Sequence, residues 1–147
     1  QDVCYEIAAR LKCQPRRAVR ALSESLIPHF YSVTHKQGES ADLERIALSM
    51  TRESVAEFFE EQGIDYNGLT SLDMNYLKYL NRAGATSAEN LQQSLGITNR
   101  QDFIEVDEYL RRLGLVEKSP GGRLLTPTGR RYLKQTIDLR DRISRKI

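Results

Sequence analysis

The spacing of apolar positions divides the first half of the chain into short amphipathic helices. Apolar residues recur every three or four positions, as on one face of a helix, in four stretches. These stretches lie at residues 3–12, from residue 15 through Phe30, around 43–48, and over 52–62. Pro15 is suited to open the second helix, and Pro28 should kink it or end its regular part, because proline lacks a backbone N–H. The first half therefore reads as a small helical bundle.

The second half carries sharper start and stop signals. Three helices are predicted over about 71–82, 87–95 and 99–113. A threonine followed three residues later by an acid or a glutamine has the spacing of an N-terminal capping box. The threonines that fit this spacing are Thr70, Thr86 and Thr98. Glycine just past a helix end favours a left-handed C-cap. The glycines in that position are Gly84, Gly96 and Gly114.

A hairpin and a last helix complete the second half. Two short apolar segments flank Ser119-Pro120-Gly121-Gly122, which is the composition of a tight turn between antiparallel strands. Thr126-Pro127 should cap a final helix with an apolar side, made of Tyr132, Leu139, Ile143 and Ile147. Three helices followed by a hairpin define a winged helix-turn-helix. The predicted fold is mainly α, with a helical domain over 1–66 and a winged helix plus a C-terminal helical extension over 67–147.

The net charge of +2 over 147 residues conceals a strong segregation of charge. Residues 37–69 hold two arginines against eight acids, whereas residues 115–147 hold nine Lys and Arg against three acids. A basic C-terminal face suggests a polyanionic partner, although a solvated helix surface explains the same charges equally well.

Composition excludes several classes of protein. No apolar run approaches the roughly 18 residues that a membrane helix needs. Two cysteines are too few for a disulfide scaffold and indicate a reducing compartment. The chain starts at Gln1 without an initiator Met or a signal peptide, which we interpret as a piece of a longer protein.

No catalytic constellation is recognisable in the chain, and we predict neither catalytic residues nor a metal site. Helix spacing scatters the only candidate zinc ligands, and we interpret the two cysteines as buried thiols and the two histidines as ordinary surface residues. Those four residues are Cys4, Cys13, His29 and His35. Tyr76 and Tyr79 fit core and rim packing better than a base-stacking platform.

The third helix of a winged helix normally reads the major groove, but here it is acidic. Asp102, Glu105, Asp107 and Glu108 lie along it, and they would repel phosphates. Contacts with DNA are therefore expected from the wing and from the start of the last helix. The candidate residues are Lys118, Arg123, Arg130, Arg131 and Lys134. Alternatively, the wing only closes the fold and the domain binds another protein.

Several motifs resemble one family over nearly the whole chain up to about Tyr132. They are Ile7-Ala8-Ala9-Arg10, Pro15-Arg16, Thr51-Arg52-Glu53-Ser54-Val55-Ala56, Gly68-Leu69, Leu72-Asp73-Met74-Asn75-Tyr76-Leu77, and the run from Leu113 to Arg123. Together these motifs are similar to the lid and winged-helix part of RuvB-type AAA+ motors, which drive branch migration of Holliday junctions. The acidic third helix is also similar to that of the family.

The resemblance implies specific roles for three residues. Arg16 would be the sensor-2 arginine that contacts the nucleotide phosphates from the lid, with Pro15 near the base or ribose. Arg123 would be the wing arginine that touches the DNA backbone. The family's own ATPase domain, which would precede this chain, would supply the phosphate loop and the magnesium-binding acid. This chain alone would then bind no cofactor and hydrolyse no ATP.

The resemblance also implies partners and a location. They are double-stranded or junction DNA, a homo-hexamer of the full-length protein, a junction-binding protein, and a bacterial or phage-type cytoplasmic setting in recombination and repair. Two alternatives stay open, a protein-interaction winged-helix module and the C-terminal part of an AAA+ replication initiator.

The chain departs from the family pattern at four places. Cys13-Gln14 replaces a Gly-Thr pair, residues 37–50 look like an insertion, and a wing arginine is replaced by Gly121 or Gly122. The tail over 135–147 extends beyond the family's usual end and could pack as an amphipathic helix on a neighbour.

Overall fold

A computed structural model describes residues 2–34 and 43–144, with side chains up to residue 138. The chain divides into two compact units, Gln1–Thr70 and Ser71–Ile147. Among the described residues, no helix combines the length and the apolar character that crossing a lipid bilayer demands. The predicted loop at 35–40 and residue 147 of the predicted apolar side lie outside the described residues.

The first unit is a bundle of short helices. They are α1 (Asp2–Arg10), α2 (Pro15–Ala21), α3 (Ile27–Thr34), α4 (Leu43–Ser49) and α5 (Arg52–Glu61). Its core is formed by Ile7, Leu26, Phe30, Ile46, Val55, Phe58 and Phe59. Val19, one of the apolar residues at helical spacing between residue 15 and Phe30, is 66% exposed. The bundle therefore closes mainly around the aromatic residues of α3 and α5.

A π-helical segment, Leu22–Leu26, joins α2 to α3. The N–H of Ile27 donates to the carbonyl of Leu22, five residues back, one residue before Pro28. A proline removes one N–H and its ring crowds the carbonyl four residues earlier, so the wider turn accommodates it. The predicted effect of Pro28 on the regular helix is confirmed.

The loop after α1 is held in a left-handed conformation. Lys12 and Cys13 have φ values of +59° and +53°, and the N–H of Cys13 donates to the carbonyl of Ala8 at 2.8 Å. Left-handed backbone favours glycine, because a Cβ crowds the neighbouring carbonyl. Cys13 thus occupies a position that suits the glycine seen in the family pattern.

The second unit contains three helices, a hairpin and a long last helix. They are α6 (Ser71–Ala83), α7 (Ala88–Ser94), α8 (Arg100–Arg112), β1 (Val116–Ser119), β2 (Gly122–Leu125) and α9 (Pro127–Ser144). The strands pair antiparallel, with Lys118 opposite Arg123 and Ser119 opposite Gly122. The predicted mainly α fold of a helical bundle followed by a winged helix is confirmed.

Two predicted helix caps are wrong by one residue. Ser87, not Thr86, caps α7 by accepting from the N–H of Asn90, and Asn99, not Thr98, caps α8 by accepting from Gln101. Thr86 instead extends the wing, because its backbone exchanges hydrogen bonds of 2.9 and 2.7 Å with Arg123. A third chain segment is therefore paired to the hairpin.

Gly122 is required by this third segment. A Cβ at Gly122 would lie 2.2 Å from the carbonyl oxygen of Thr86, and its φ is +117°. Neither the space nor the backbone conformation admits a side chain there. An arginine is therefore excluded at Gly122, whereas Gly121 has an ordinary φ and its nearest neighbour is the Ala85 side chain.

The last helix is capped as the sequence predicts. The Thr126 hydroxyl accepts from the N–H of Gly129 at 3.0 Å and donates to the carbonyl of Gly114 at 2.6 Å. Tyr132 and Leu133 are buried. The side chains of Leu139 and Ile143 lie outside the described part, so that stretch of the predicted apolar side stays a prediction.

Candidate nucleic-acid interface

A buried carboxylate organises the winged helix. Asp107 on α8 is 3% exposed and lies one position beyond Val106 on the apolar face of the helix. Arg123 on β2 donates to it from Nε at 2.8 Å and from Nη2 at 3.0 Å, and the Tyr76 hydroxyl on α6 donates at 2.5 Å. Arg111 Nε lies 3.5 Å from its second oxygen. One aspartate therefore links α6, α8 and the wing.

The pKa values of this cluster follow from burial and pairing. Burial alone would raise the pKa of Asp107, but the hydrogen bonds from Arg123 and Tyr76 outweigh burial and hold it below its ordinary value. Burial and the bond to Asp107 raise the pKa of Tyr76. Asp107 thus stays ionised and Tyr76 protonated at neutral pH, which gives a charge-assisted hydrogen bond.

The ion pair with Asp107 uses much of the hydrogen-bonding capacity of Arg123, the predicted wing arginine. The Arg123 side chain is 19% exposed, and its Nε and one Nη face Asp107 in a bidentate geometry. The N–H groups on Nη1 of Arg123 do not face Asp107, and they are the part of the side chain suited to a phosphate. A substitution of Arg123 would therefore change both the charge of the wing and its attachment to α8.

The other four candidate DNA-binding residues are exposed. Lys118 lies on the wing, and the other three lie in the first turns of α9. Two of the α9 residues, Arg130 and Lys134, line a groove of about 360 Å³ against α6, which we call the α6–α9 groove. It is lined by Asn81, Arg130, Leu133, Lys134, Ile137 and Asp138.

The exposed surface of α8 remains acidic. Asp102, Glu105 and Glu108 are exposed, whereas Asp107 is turned inward and paired. Arg100 and Arg112 are exposed at the two ends of the helix, on either side of these three acids.

The first unit presents the predicted nucleotide residues at the start of α2. Pro15 and Arg16 are both exposed there, and Pro15 is the first helical residue. The two residues are neighbours in the chain, and the other predicted site residues lie in the second unit. The side chain of Arg16 is accessible to a ligand from solution.

A buried ion pair that sequence reasoning missed holds the first unit together. Arg10 is 3% exposed and donates to Glu6 at 2.8 Å, to the carbonyl of Ile64 at 2.9 Å and to Glu60 at 3.2 Å. Arg52 reaches the second oxygen of Glu6 at 3.2 Å. Burial would raise the pKa of Glu6, but the two arginines lower it below its ordinary value.

The cysteines correct one expectation. Cys4 and Cys13 are exposed rather than buried. His29 packs against the ring of Phe58, with centroids 4.9 Å apart, and His35 lies outside the described residues. Within the part of the chain that the structure describes, no three His, Cys, Asp or Glu side chains form a group able to hold a metal ion.

These features define a class of protein, a small helical bundle followed by a winged helix with exposed cations on its wing and at the start of its last helix. Residues 66–134 match the model of the RuvB C-terminal winged helix domain. The chain is 31% identical over 140 residues to the Holliday junction branch migration complex subunit RuvB of Wolbachia sp. subsp. Brugia malayi (strain TRS). That match covers 90% of this chain and 37% of the relative.

Two further comparisons agree. The RuvB subunit of Prochlorococcus marinus (strain AS9601) is 26% identical over 139 residues, which is 93% of this chain and 36% of that protein. The Thermotoga maritima RuvB Holliday junction branch migration motor superposes with a TM-score of 0.66 at 25% identity, covering 88% of this chain and 40% of that one.

Residues 66–134 therefore resemble RuvB C-terminal winged helix domains, and the resemblance of the chain to the C-terminal lid and winged-helix part of RuvB is confirmed. The chain spans 37% of the length of the Wolbachia relative.

Proposed function

We propose that this chain is the C-terminal part of a RuvB-like DNA motor, and that its winged helix binds the backbone of duplex or junction DNA without reading sequence. The observation that carries the proposal is the separation of charge on the second unit. The wing and the first turns of α9 present exposed cations, whereas the middle of α8 presents three exposed acids between its terminal Arg100 and Arg112. Phosphate contacts fix a protein on DNA but carry no sequence information, which suits a motor that must move along it.

The bidentate pairing of Asp107 with Arg123 supports the same proposal. It fixes β2 on α8, so the wing is presented as a rigid element with Lys118 on its exposed side. A rigid wing loses less conformational entropy when it binds than a flexible loop would.

The nucleotide role is proposed for Arg16. Its exposure at the start of α2 fits a guanidinium that contacts phosphates presented by another domain. The resemblance assigns ATP, magnesium and the assembly of a hexamer to a full-length protein, in which bound ATP would supply the energy for movement. Arg16 would stabilise negative charge on the phosphates and would position neither water nor metal.

Removal of exposed cations from the wing and α9 tests DNA binding. Lys118→Gln/Arg131→Gln should lower the slope of log K against log salt by about two, because each lost phosphate contact removes roughly 0.9. The matched control is Arg100→Gln/Arg112→Gln, which takes the same charge from exposed positions of α8. Fluorescence anisotropy with a labelled duplex measures both variants.

Two results would contradict the proposal. One is an equal loss of DNA affinity in the two double variants, which would show that affinity depends only on the net charge of the chain. The other is a wild-type chain that does not bind duplex at about 50 mM salt, where backbone contacts are strong. The second result would favour the protein-interaction module.

A further inference from the structure

The surface of α6 between α7 and α9 carries a second set of cations that the wing does not explain. A groove of about 470 Å³ runs along its α7 side, and we call it the α6–α7 groove. It is lined by Asn75, Lys78, Tyr79, Arg82, Ser94 and Leu95. These described lining residues include two cations and no acid. The α6–α9 groove includes Asn81 of the same helix.

The side chains of the α6–α7 groove are arranged as donors. The Arg82 guanidinium lies 5.8 Å from the centre of the Tyr79 ring, which holds the cation beside the groove. The Ser94 hydroxyl donates to the Tyr79 hydroxyl oxygen at 3.1 Å, so the hydrogen of Tyr79 is available to an incoming acceptor. Lys78 is exposed and lies four residues, one helical turn, before Arg82.

Two like charges one turn apart repel each other, which is a cost unless a ligand neutralises them. A phosphodiester supplies one negative charge and several acceptor oxygens per nucleotide, which matches ammonium, guanidinium, hydroxyl and amide donors in one groove. In the α6–α9 groove, Arg130 and Lys134 add two further cations, and Asp138 is the one acidic residue that lines this groove.

We propose that the exposed face of α6, from the α6–α7 groove to the α6–α9 groove, is a binding surface for nucleic-acid phosphates, and that Lys78 and Arg82 contact the backbone there. This inference rests on the proposed function, because it needs a chain that binds DNA. The exposed charged residues of α6 are Lys78 and Arg82, whereas α8 exposes three acids between its terminal arginines. The backbone would therefore contact the first helix of the winged helix in addition to the wing.

Lys78→Gln/Arg82→Gln tests the proposal, because both side chains are exposed and their loss should leave the fold intact. We expect the slope of log K against log salt to fall by about two and affinity at about 50 mM salt to fall roughly tenfold. The control is again Arg100→Gln/Arg112→Gln, which should change affinity less than about threefold. Circular dichroism checks that each variant is folded.

A second measurement locates the contact directly. Acetylation of lysines, read by mass spectrometry, should be slowed at Lys78 by DNA. Protection of Lys118 and Lys134 without protection of Lys78 would overturn the proposal. Affinity is measured with a short duplex and with a single-stranded oligothymidylate. The probe for which Lys78→Gln/Arg82→Gln loses affinity shows whether the groove binds the backbone of double-stranded or of single-stranded DNA.

The outcomes separate this inference from the function on which it rests. A wild-type chain that binds neither probe overturns both. A wild-type chain that binds, with affinity lost in Lys118→Gln/Arg131→Gln and retained in Lys78→Gln/Arg82→Gln, overturns only the α6 proposal. Unchanged DNA affinity together with lost binding to polyglutamate would assign the groove to an acidic protein and would likewise overturn it.

Discussion

Asp107→Asn should destabilise the winged helix by about 3 kcal/mol or more, because it removes the negative charge that Arg123 and Arg111 share in a buried site. The amide keeps the shape of the side chain, so the loss reports on charge rather than on a cavity. Amide hydrogen exchange of the full chain should localise the loss to α6, α8 and the wing, with α5 unchanged.

Two further variants identify the cause. Asp102→Asn removes an acid from an exposed position of α8 and should change stability by less than about 0.5 kcal/mol. Asp107→Leu/Arg123→Met removes both members of the pair and should recover part of the loss, since the guanidinium of Arg123 is then no longer left without its carboxylate. Recovery should be incomplete, because Arg111 and the Tyr76 hydroxyl still lose their partner. A cost below about 1 kcal/mol for Asp107→Asn would show that the pair does not hold the wing.

The same variant should show a characteristic pH dependence. The pKa of Asp107 is lower in the folded chain than in the unfolded one. The carboxylate therefore contributes its full stability at pH values above the ordinary aspartate pKa of about 4. That contribution is lost as the pH falls through the lowered value. The difference in stability between wild type and Asp107→Asn should therefore be full at neutral pH and shrink in acid.

Arg10→Ala should destabilise the first unit by about 3 kcal/mol, because Glu6 would stay buried with only the exposed Arg52 as its partner. The substitution also frees the carbonyl of Ile64, which Arg10 ties to the end of α1. Denaturant unfolding and amide exchange in α1 and α5 measure the loss.

The chain contains a matched control for this pair. Arg20 and Glu24 form an ion pair of the same spacing, at 2.7 Å, but with side chains that are 77% and 59% exposed. Arg20→Ala should cost less than about 0.5 kcal/mol, since exposed pairs are screened by water. Equal costs for Arg10→Ala and Arg20→Ala would contradict the assignment of stability to the buried network.

Local signals explain why most of the fold could be predicted. The predicted helices of the second unit begin and end within one residue of α6, α7 and α8. Each ends before a glycine with positive φ, and such C-caps depend on only a few consecutive residues. The hairpin turn is equally local, with Ser119 opposite Gly122.

The wrong helix caps and the exposed Val19 have a common origin, because each depends on contacts with residues far along the chain. Thr86 and Ser87 are both good caps, and the choice between them was decided by the pairing of Thr86 with Arg123, far along the chain. Val19 fits the helical period but remains exposed, because no other described element covers it. The spacing of apolar residues within one helix does not show which of its faces packs against another element.

The sequence pattern does indicate that some charged residues are buried. Asp107 lies between Phe103 and Leu110 on the apolar face of α8, and Glu6 and Arg10 flank Ile7 on that of α1. A charged residue at an apolar position of a helix indicates a buried partner, although its identity depends on the tertiary fold. The acids of α8 therefore form two groups, one that faces solvent and one that holds the wing.

Salt titration of wild-type binding to two duplexes of unrelated sequence tests the central claim most directly. We expect log K to fall linearly with log salt, with a slope of about −2.7 or steeper for three or more phosphates, and the slope should be the same for both duplexes. A difference in affinity above about tenfold between the two sequences would mean that base edges are read. That result would contradict a winged helix that binds the backbone alone.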